Sequence, residues 1–252
     1  MTRASWLPSV LGLLLLACSE SAAGDELGDG EGESSAEGST SESDTTDTTD
    51  DTSGEVETMA SESSSETGDP DCTGPHATLP LPTQYEQPSQ PTVPGSPWAY
   101  FELTDFQPQS CNFGQTYGLE TFKGRVTLVS LMRSTCEICQ GTIGYLEQMQ
   151  IQLELEGHEV WFVVINQAGY ATTQEEFVDR ASFPLLQDTS EVLAWDLLNQ
   201  WEPLQGTDDI YIYDAQGVLH SYFSYAADDP TIKLETQAGW DNVYNAILAA
   251  MQ

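Results

Sequence analysis

Positive charge is nearly missing from this chain. Six Lys and Arg stand against 41 Asp and Glu, giving a formal net charge of −35 over 252 residues. That balance excludes a nucleic-acid-binding surface, since phosphate contact needs clustered Lys and Arg. Long apolar runs are also missing. The run at residues 10–16 falls far short of the about 20 apolar residues that span a bilayer. Histidine is scarce, at three, and cysteine amounts to five. No internal repeat is present, and no cofactor is expected. Between residues 19 and 70 almost no apolar side chain occurs, while 17 acids do, with no Lys or Arg among them. Such a stretch cannot bury enough surface to offset the entropy of ordering.

What is there falls into four segments. Residues 1–17 carry one base, Arg3, and the short apolar run, as a secretory signal does. The run stops at Leu15-Leu16-Ala17-Cys18, which resembles a bacterial lipobox. The resemblance implies cleavage before Cys18 and lipidation of its sulfur, hence a membrane partner through acyl chains and a place in the cell envelope. Each buried methylene would contribute about 0.8 kcal/mol to that anchor. Residues 18–70 read as a disordered acidic tether with a reach of about 40 Å, before self-repulsion extends it. Residues 71–97 hold most of the eight prolines found from Pro70 to Pro97, out of 13 in all, and read as a stiffer stalk. Residues 98–252 suffice for one hydrophobic core. The part of the chain beyond the tether keeps 24 acids against five bases, an acidity suited to solubility. A monomer is expected.

The element order in 98–252 alternates strand and helix. Residues 126–132 form an apolar strand, and 141–156 an amphipathic helix with Ile143, Leu146, Met149, Ile151, Leu153 and Leu155 as its apolar positions. The continuous apolar run 160–165 predicts a central strand covered on both faces. A short helix is expected over 172–181, and another from Ser190, as N-cap, to about residue 198. Residues 210–213 and 218–225 pair as a hairpin with Gly217 in its turn. An apolar-faced helix over 240–251 closes the chain. The sum is an α/β fold of thioredoxin-like plan, three layers around a central mixed sheet.

The chemistry sits at Cys136-Glu137-Ile138-Cys139, where a buried strand feeds a CxxC at a helix start. Cys136 falls at the helix N-terminus, whose free N–H groups and dipole favour a thiolate by about 0.3–2 kcal/mol. Cys139, one turn on, is the expected resolving thiol. Arg133 supports the thiolate. Asp208, also a candidate catalytic residue, opposes it by roughly 2–3 kcal/mol if its carboxylate stands about 6 Å away at an effective dielectric near 20. Two blander readings stand beside these: Asp208 as a solvated turn carboxylate, and Glu137 as an exposed acid at a helix start.

Six stretches in order, the turn among them, resemble the N-terminal thioredoxin-like domain of selenoprotein P. They are Val126-Thr127-Leu128-Val129, Cys136 to Cys139, Val163-Val164-Ile165-Asn166-Gln167, Leu185-Leu186-Gln187-Asp188, Trp195-Asp196-Leu197-Leu198-Asn199, and Asp208-Asp209-Ile210-Tyr211-Ile212-Tyr213-Asp214. The resemblance places Cys136 where animal members carry selenocysteine, and Asp208 where thioredoxins carry a cis-proline. It implies thiol-based chemistry on a peroxide or on a thiol/disulfide protein partner. The selenocysteine-rich tail and histidine-rich stretches are absent, so a transport role does not follow.

Cys72 and Cys111 are left over, and in an oxidising compartment a disulfide between them is the expected state. A four-cysteine zinc site would need both to reach the redox turn. A copper site at the CxxC would need His220, since His158 and His76 read as surface residues. Tyr211, Tyr213, Tyr222 and Tyr225 alternate as sheet-packing residues do.

Overall fold

The computed structural model describes residues 72–198, 208–227 and 230–252. The expected signal, the lipidation site Cys18 and the tether lie outside the described residues.

Seven strands form one mixed sheet: β1 (Leu103–Asp105), β2 (Thr116–Tyr117), β3 (Val126–Met132), β4 (Val160–Asn166), β5 (Leu185–Gln187), β6 (Ile210–Tyr213) and β7 (Leu219–Phe223), in the order β2-β1-β5-β4-β3-β6-β7. The central strands β3, β4 and β5 are parallel, with Val126 opposite Val160 and Val164 opposite Leu185. The outer pairs are antiparallel. Every residue of β3 is buried, because both faces of the sheet are covered and alternation has no exposed side to favour.

Helices α1 (Glu137–Leu155) and α4 (Gln237–Ala250) cover one face, where Ile143, Leu146, Met149, Leu153, Val243 and Ile247 meet Leu128, Phe162 and Ile212. The opposite face is covered by the segments on either side of β1 and β2, through Trp98, Phe101, Leu119 and Phe122, and by α3 (Ala194–Leu198), through Leu198. The short α2 (Glu175–Val178) sends Phe177 into the first core. This is the thioredoxin-like three-layer fold that the element order implies.

Several local expectations shift. α1 begins at Glu137, with Cys136 itself as N-cap. Ile151 and Leu155 leave the apolar face, 47% and 84% exposed. Each lies two positions from the buried Leu153, about 200° around the helix. The segment expected as one helix over 172–181 is a 3-10 turn, Ala171–Thr173, followed by α2. α3 starts at Ala194, not Ser190: the Asp188 carboxylate accepts from the backbone N–H groups of Ala194 and Trp195 at 2.8 and 3.1 Å. Being ionisable, it is the stronger cap, and the Ser190 hydroxyl turns instead to Glu191. α4 begins three residues before Trp240 because Thr236 accepts from the N–H of Gly239 at 3.1 Å. Gly217 occupies the hairpin turn at φ +82°, and a Cβ there would stand 2.7 Å from the Trp98 ring. Both the backbone and the packing require glycine at this point.

Residues 72–97, expected as a stalk, run along the domain. Cys72 and Cys111 are disulfide-bonded. Beside the bond, Thr73 N–H donates to Gln109 O and Cys111 N–H to Thr73 O, both at 2.9 Å. Leu79 N–H donates to the Thr121 hydroxyl, Tyr100 N–H to Gln87 Oε1, and Gly95 N–H to Leu219 O. The cysteines are 39 residues apart, so their bond removes about 4 kcal/mol of loop entropy from the unfolded chain. Replacing both with alanine is expected to lower stability by about 2–4 kcal/mol in urea unfolding, with β3 and α1 unaffected in the folded state. An unchanged midpoint would show the strap to be held by its hydrogen bonds alone.

Candidate redox site

Strand β3 ends at Met132, and the next three residues turn the chain into α1. That turn is pinned from several sides. Asn166, the last residue of β4, accepts from Ser134 N–H at 3.0 Å through Oδ1. Gln167 N–H donates to Met132 O, Gln140 Nε2 to Ser134 O at 2.7 Å, and Cys136 N–H to Arg133 O at 2.9 Å. Cys136 caps α1 with its sulfur, which accepts from the N–H of Cys139 at 3.5 Å. A sulfur in that position meets the positive end of the helix dipole.

Cys136 is half-buried and Cys139 fully buried, and both are free thiols. The antiparallel pairing of β6 with β3 brings in the third group. Asp208 N–H donates to Leu131 O at 2.6 Å, and Leu131 N–H to Asp209 O at 3.1 Å, which sets Asp208 beside the end of β3. The sulfurs of Cys136 and Cys139 and a carboxylate oxygen of Asp208 lie within 4.8 Å of one another. Asp208 is 2% exposed, so it is not a solvated turn residue. Its φ of +65° lies in the left-handed region that non-glycine residues visit at some cost, and proline could not adopt it.

Burial is the main cause of the electrostatics here. It pushes the Asp208 carboxyl up to about 6, with Asp209 adding to the rise while a hydrogen bond from Cys139 and the Arg133 charge oppose it. Burial, then the Asp208 charge, raises the Cys139 thiol well above the ordinary range. Oδ1 of Asp208 is buried without a hydrogen-bond partner among the described residues. Arg133 stands over the Tyr170 ring at 5.6 Å and feels both cysteines. Asp209 is structural, accepting from Tyr222 OH at 2.7 Å and Tyr225 N–H at 2.8 Å.

Beside the turn lies a groove of about 230 Å³ lined by Glu137, Ile138, Tyr145, Tyr225 and Glu235, among others. Glu137 is exposed, as its blander reading held. Sequence reading passed over Glu235 and treated Tyr225 only as packing. Both lie far along the chain, and the one hint was the odd tyrosine after the β7 alternation. Tyr211 and Tyr213 are packing residues, stacked at 6.3 Å within the second core.

The other expectations separate spatially. Cys72 and Cys111 group with His76 and not with the CxxC, which removes the four-cysteine zinc site. His220 is exposed on β7, bonded to Ser221, and belongs to no ligand cluster among the described residues. The copper reading through His220 therefore fails. No described helix is long and apolar enough to cross a membrane.

A strand-to-helix CxxC in a thioredoxin-like sheet defines the class of thioredoxin-fold proteins. The chain belongs within it to the Redoxin family, whose model matches residues 100–231. Solved structures to which the chain is similar include a secreted Mycobacterium tuberculosis disulfide oxidoreductase (18% identity, 59% of this chain and 95% of that one covered, TM-score 0.43). The thioredoxin domain of a thiol-disulfide oxidoreductase from Bacteroides vulgatus also matches (15%, 62% and 98%, 0.43), as does a SCO1/SenC family lipoprotein from Bacillus anthracis (15%, 60% and 93%, 0.42). A search of curated protein sequences gave no match.

Proposed function

We propose that this protein is a thiol–disulfide oxidoreductase held at the cell envelope by lipid on Cys18, with residues 18–70 as tether. In this reading Cys136 and Cys139 are the redox pair, Asp208 is the proton acceptor for Cys139, and the domain is a cysteine version of the selenoprotein P N-terminal domain. The single observation that carries it is the convergence of two free sulfurs, one half-exposed at a helix N-terminus and one buried, on a carboxyl of raised pKa. Membership of the Redoxin family supports it.

The steps balance as follows. The Cys136 thiolate attacks one sulfur of a partner's disulfide; a mixed disulfide forms and the partner's other sulfur leaves as a thiolate. Cys139 then gives its proton to the Asp208 carboxylate and attacks Cys136 Sγ. The Cys136–Cys139 bond forms, the second partner sulfur leaves, and Asp208 passes the proton outward. The dithiol is oxidised by two electrons and the partner reduced by two; the reverse sequence oxidises a partner. The groove beside Cys136 favours an extended polypeptide over a small peroxide, and Glu137 and Glu235 on its wall favour cationic residues near the partner's cysteine.

The test is the reduction potential of the pair in glutathione and dithiothreitol buffers. A value more oxidising than about −300 mV is expected for exchange chemistry. A more reducing value would make Cys136–Cys139 a structural bond and the domain a scaffold.

A further inference from the structure

We propose that the reduced form holds a thiophilic divalent cation, with Zn²⁺ as the type, on Cys136 Sγ, Cys139 Sγ and a carboxylate oxygen of Asp208. The inference stands on the donor set and its geometry, not on the redox reading, and exchange activity can be present or absent independently of it.

Two thiolates and one carboxylate are a donor set that Zn²⁺ accepts, at about 2.3 Å for sulfur and 2.0–2.2 Å for oxygen. In a tetrahedron those lengths set ligand atoms roughly 3.5–3.8 Å apart. The three atoms here already lie within 4.8 Å of one another, so closing on a metal needs a contraction of no more than about 1.3 Å. The second observation is independent of the cysteines: Oδ1 of the 2%-exposed Asp208 is buried with nothing donating to it among the described residues. A buried carboxylate in that state costs free energy unless a proton or a cation compensates it. The backbone holds it there at φ +65°, a conformation that persists only where its surroundings impose it.

The surroundings suit a cation. Asp209 and Glu235 both add negative potential at Asp208. Arg133, the nearby positive group among the described residues, opposes this, since its charge acts on Asp208 and on both cysteines, though it is also held to Tyr170 by a hydrogen bond and its ring. Half-exposed Cys136 leaves an approach from solvent, and three protein ligands leave the fourth position to water or an external donor. Binding expels the thiol protons. Oxidation of the pair to a disulfide withdraws two of the three donors, so the site exists only in the reduced state. The other cluster of potential ligands, Cys72, Cys111 and His76, has its sulfurs joined to each other and offers no such set.

The experiment titrates the reduced full chain with Co²⁺, followed by its sulfur-to-metal charge-transfer absorption, and with Zn²⁺ by calorimetry. One equivalent should bind, none to the oxidised protein and none to Cys139→Ser. Asp208→Asn should weaken binding by about tenfold or more, and Zn²⁺ should raise the melting temperature of the reduced form only. No binding, or equal affinity for wild type and Asp208→Asn, overturns the proposal, the latter by reducing it to ordinary dithiol chelation. If Asp208→Asn fails to fold, the four-coordinate Co²⁺ spectrum of the wild type decides: a spectrum matching a simple dithiol chelate with no third protein donor overturns it.

Discussion

Cys139→Ser should accumulate as a covalent complex with its partner, while Cys136→Ser should trap nothing and lose exchange activity by at least about a thousandfold. The asymmetry follows from burial. Cys136 is half-exposed at the start of α1, whereas Cys139 is fully buried beneath it, so only the first can meet an external disulfide. The thiolate is the attacking species, and a serine hydroxyl at position 136 supplies none at neutral pH. With serine at 139 the mixed disulfide forms but has no internal sulfur to displace it. Purifying Cys139→Ser from an envelope fraction under non-reducing conditions, and identifying what dithiothreitol releases, would read the substrate directly. Equal trapping by both variants would mean that the two sulfurs do not divide the work in this way.

Asp208→Asn is expected to separate the two half-reactions and to change the pH dependence of stability. The carboxyl titrates near 6 in the folded protein against 3.8 as its ordinary value. Its folded pKa is raised, so the native state holds this proton more tightly than the unfolded chain does. Its contribution is then fully present below pH 3.8 and is lost as pH rises through 6, by about 3 kcal/mol in all. Wild type should therefore weaken across that window, and Asp208→Asn should not show the loss. In kinetics, resolution of a mixed disulfide by Cys139 should speed up in wild type as pH passes 6 and Asp208 becomes able to accept a proton. In Asp208→Asn that limb should vanish, with resolution slower by about 10- to 100-fold at pH 7.5. Capture by Cys136 should not slow, because a negative charge beside the nucleophile has been removed. Stopped-flow measurement of both steps would check this; if neither changes, Asp208 has no part in proton transfer.

Long, strongly patterned segments were legible from sequence. The seven buried residues of β3, the apolar run of β4, the hairpin around Gly217 and the CxxC at a helix start each carry enough signal to be read locally. β1, β2 and β5 escaped because two or three residues cannot display a period, and their pairing depends on the far side of the sheet. The cap of α3 was misread because the oxygen that satisfies Ala194 comes from Asp188, six positions upstream, in competition with a nearer serine. At the site, the cysteines and Asp208 could be named, but the burial and left-handed backbone of Asp208 could not. Both follow from the β3–β6 register, while Tyr225 reaches the groove just past β7, which pairs with β6, its N–H held by Asp209.

The inaccessibility of Cys139 has a practical use. In a Cys136→Ser background it is the last free thiol in the described domain, shut inside the packing of α1 against the central strands. A bulky maleimide can reach it only when that packing opens. The labelling rate then gives the free energy of opening under native conditions, without denaturant and without a spectroscopic tag. The domain thus carries an internal clock for its own breathing.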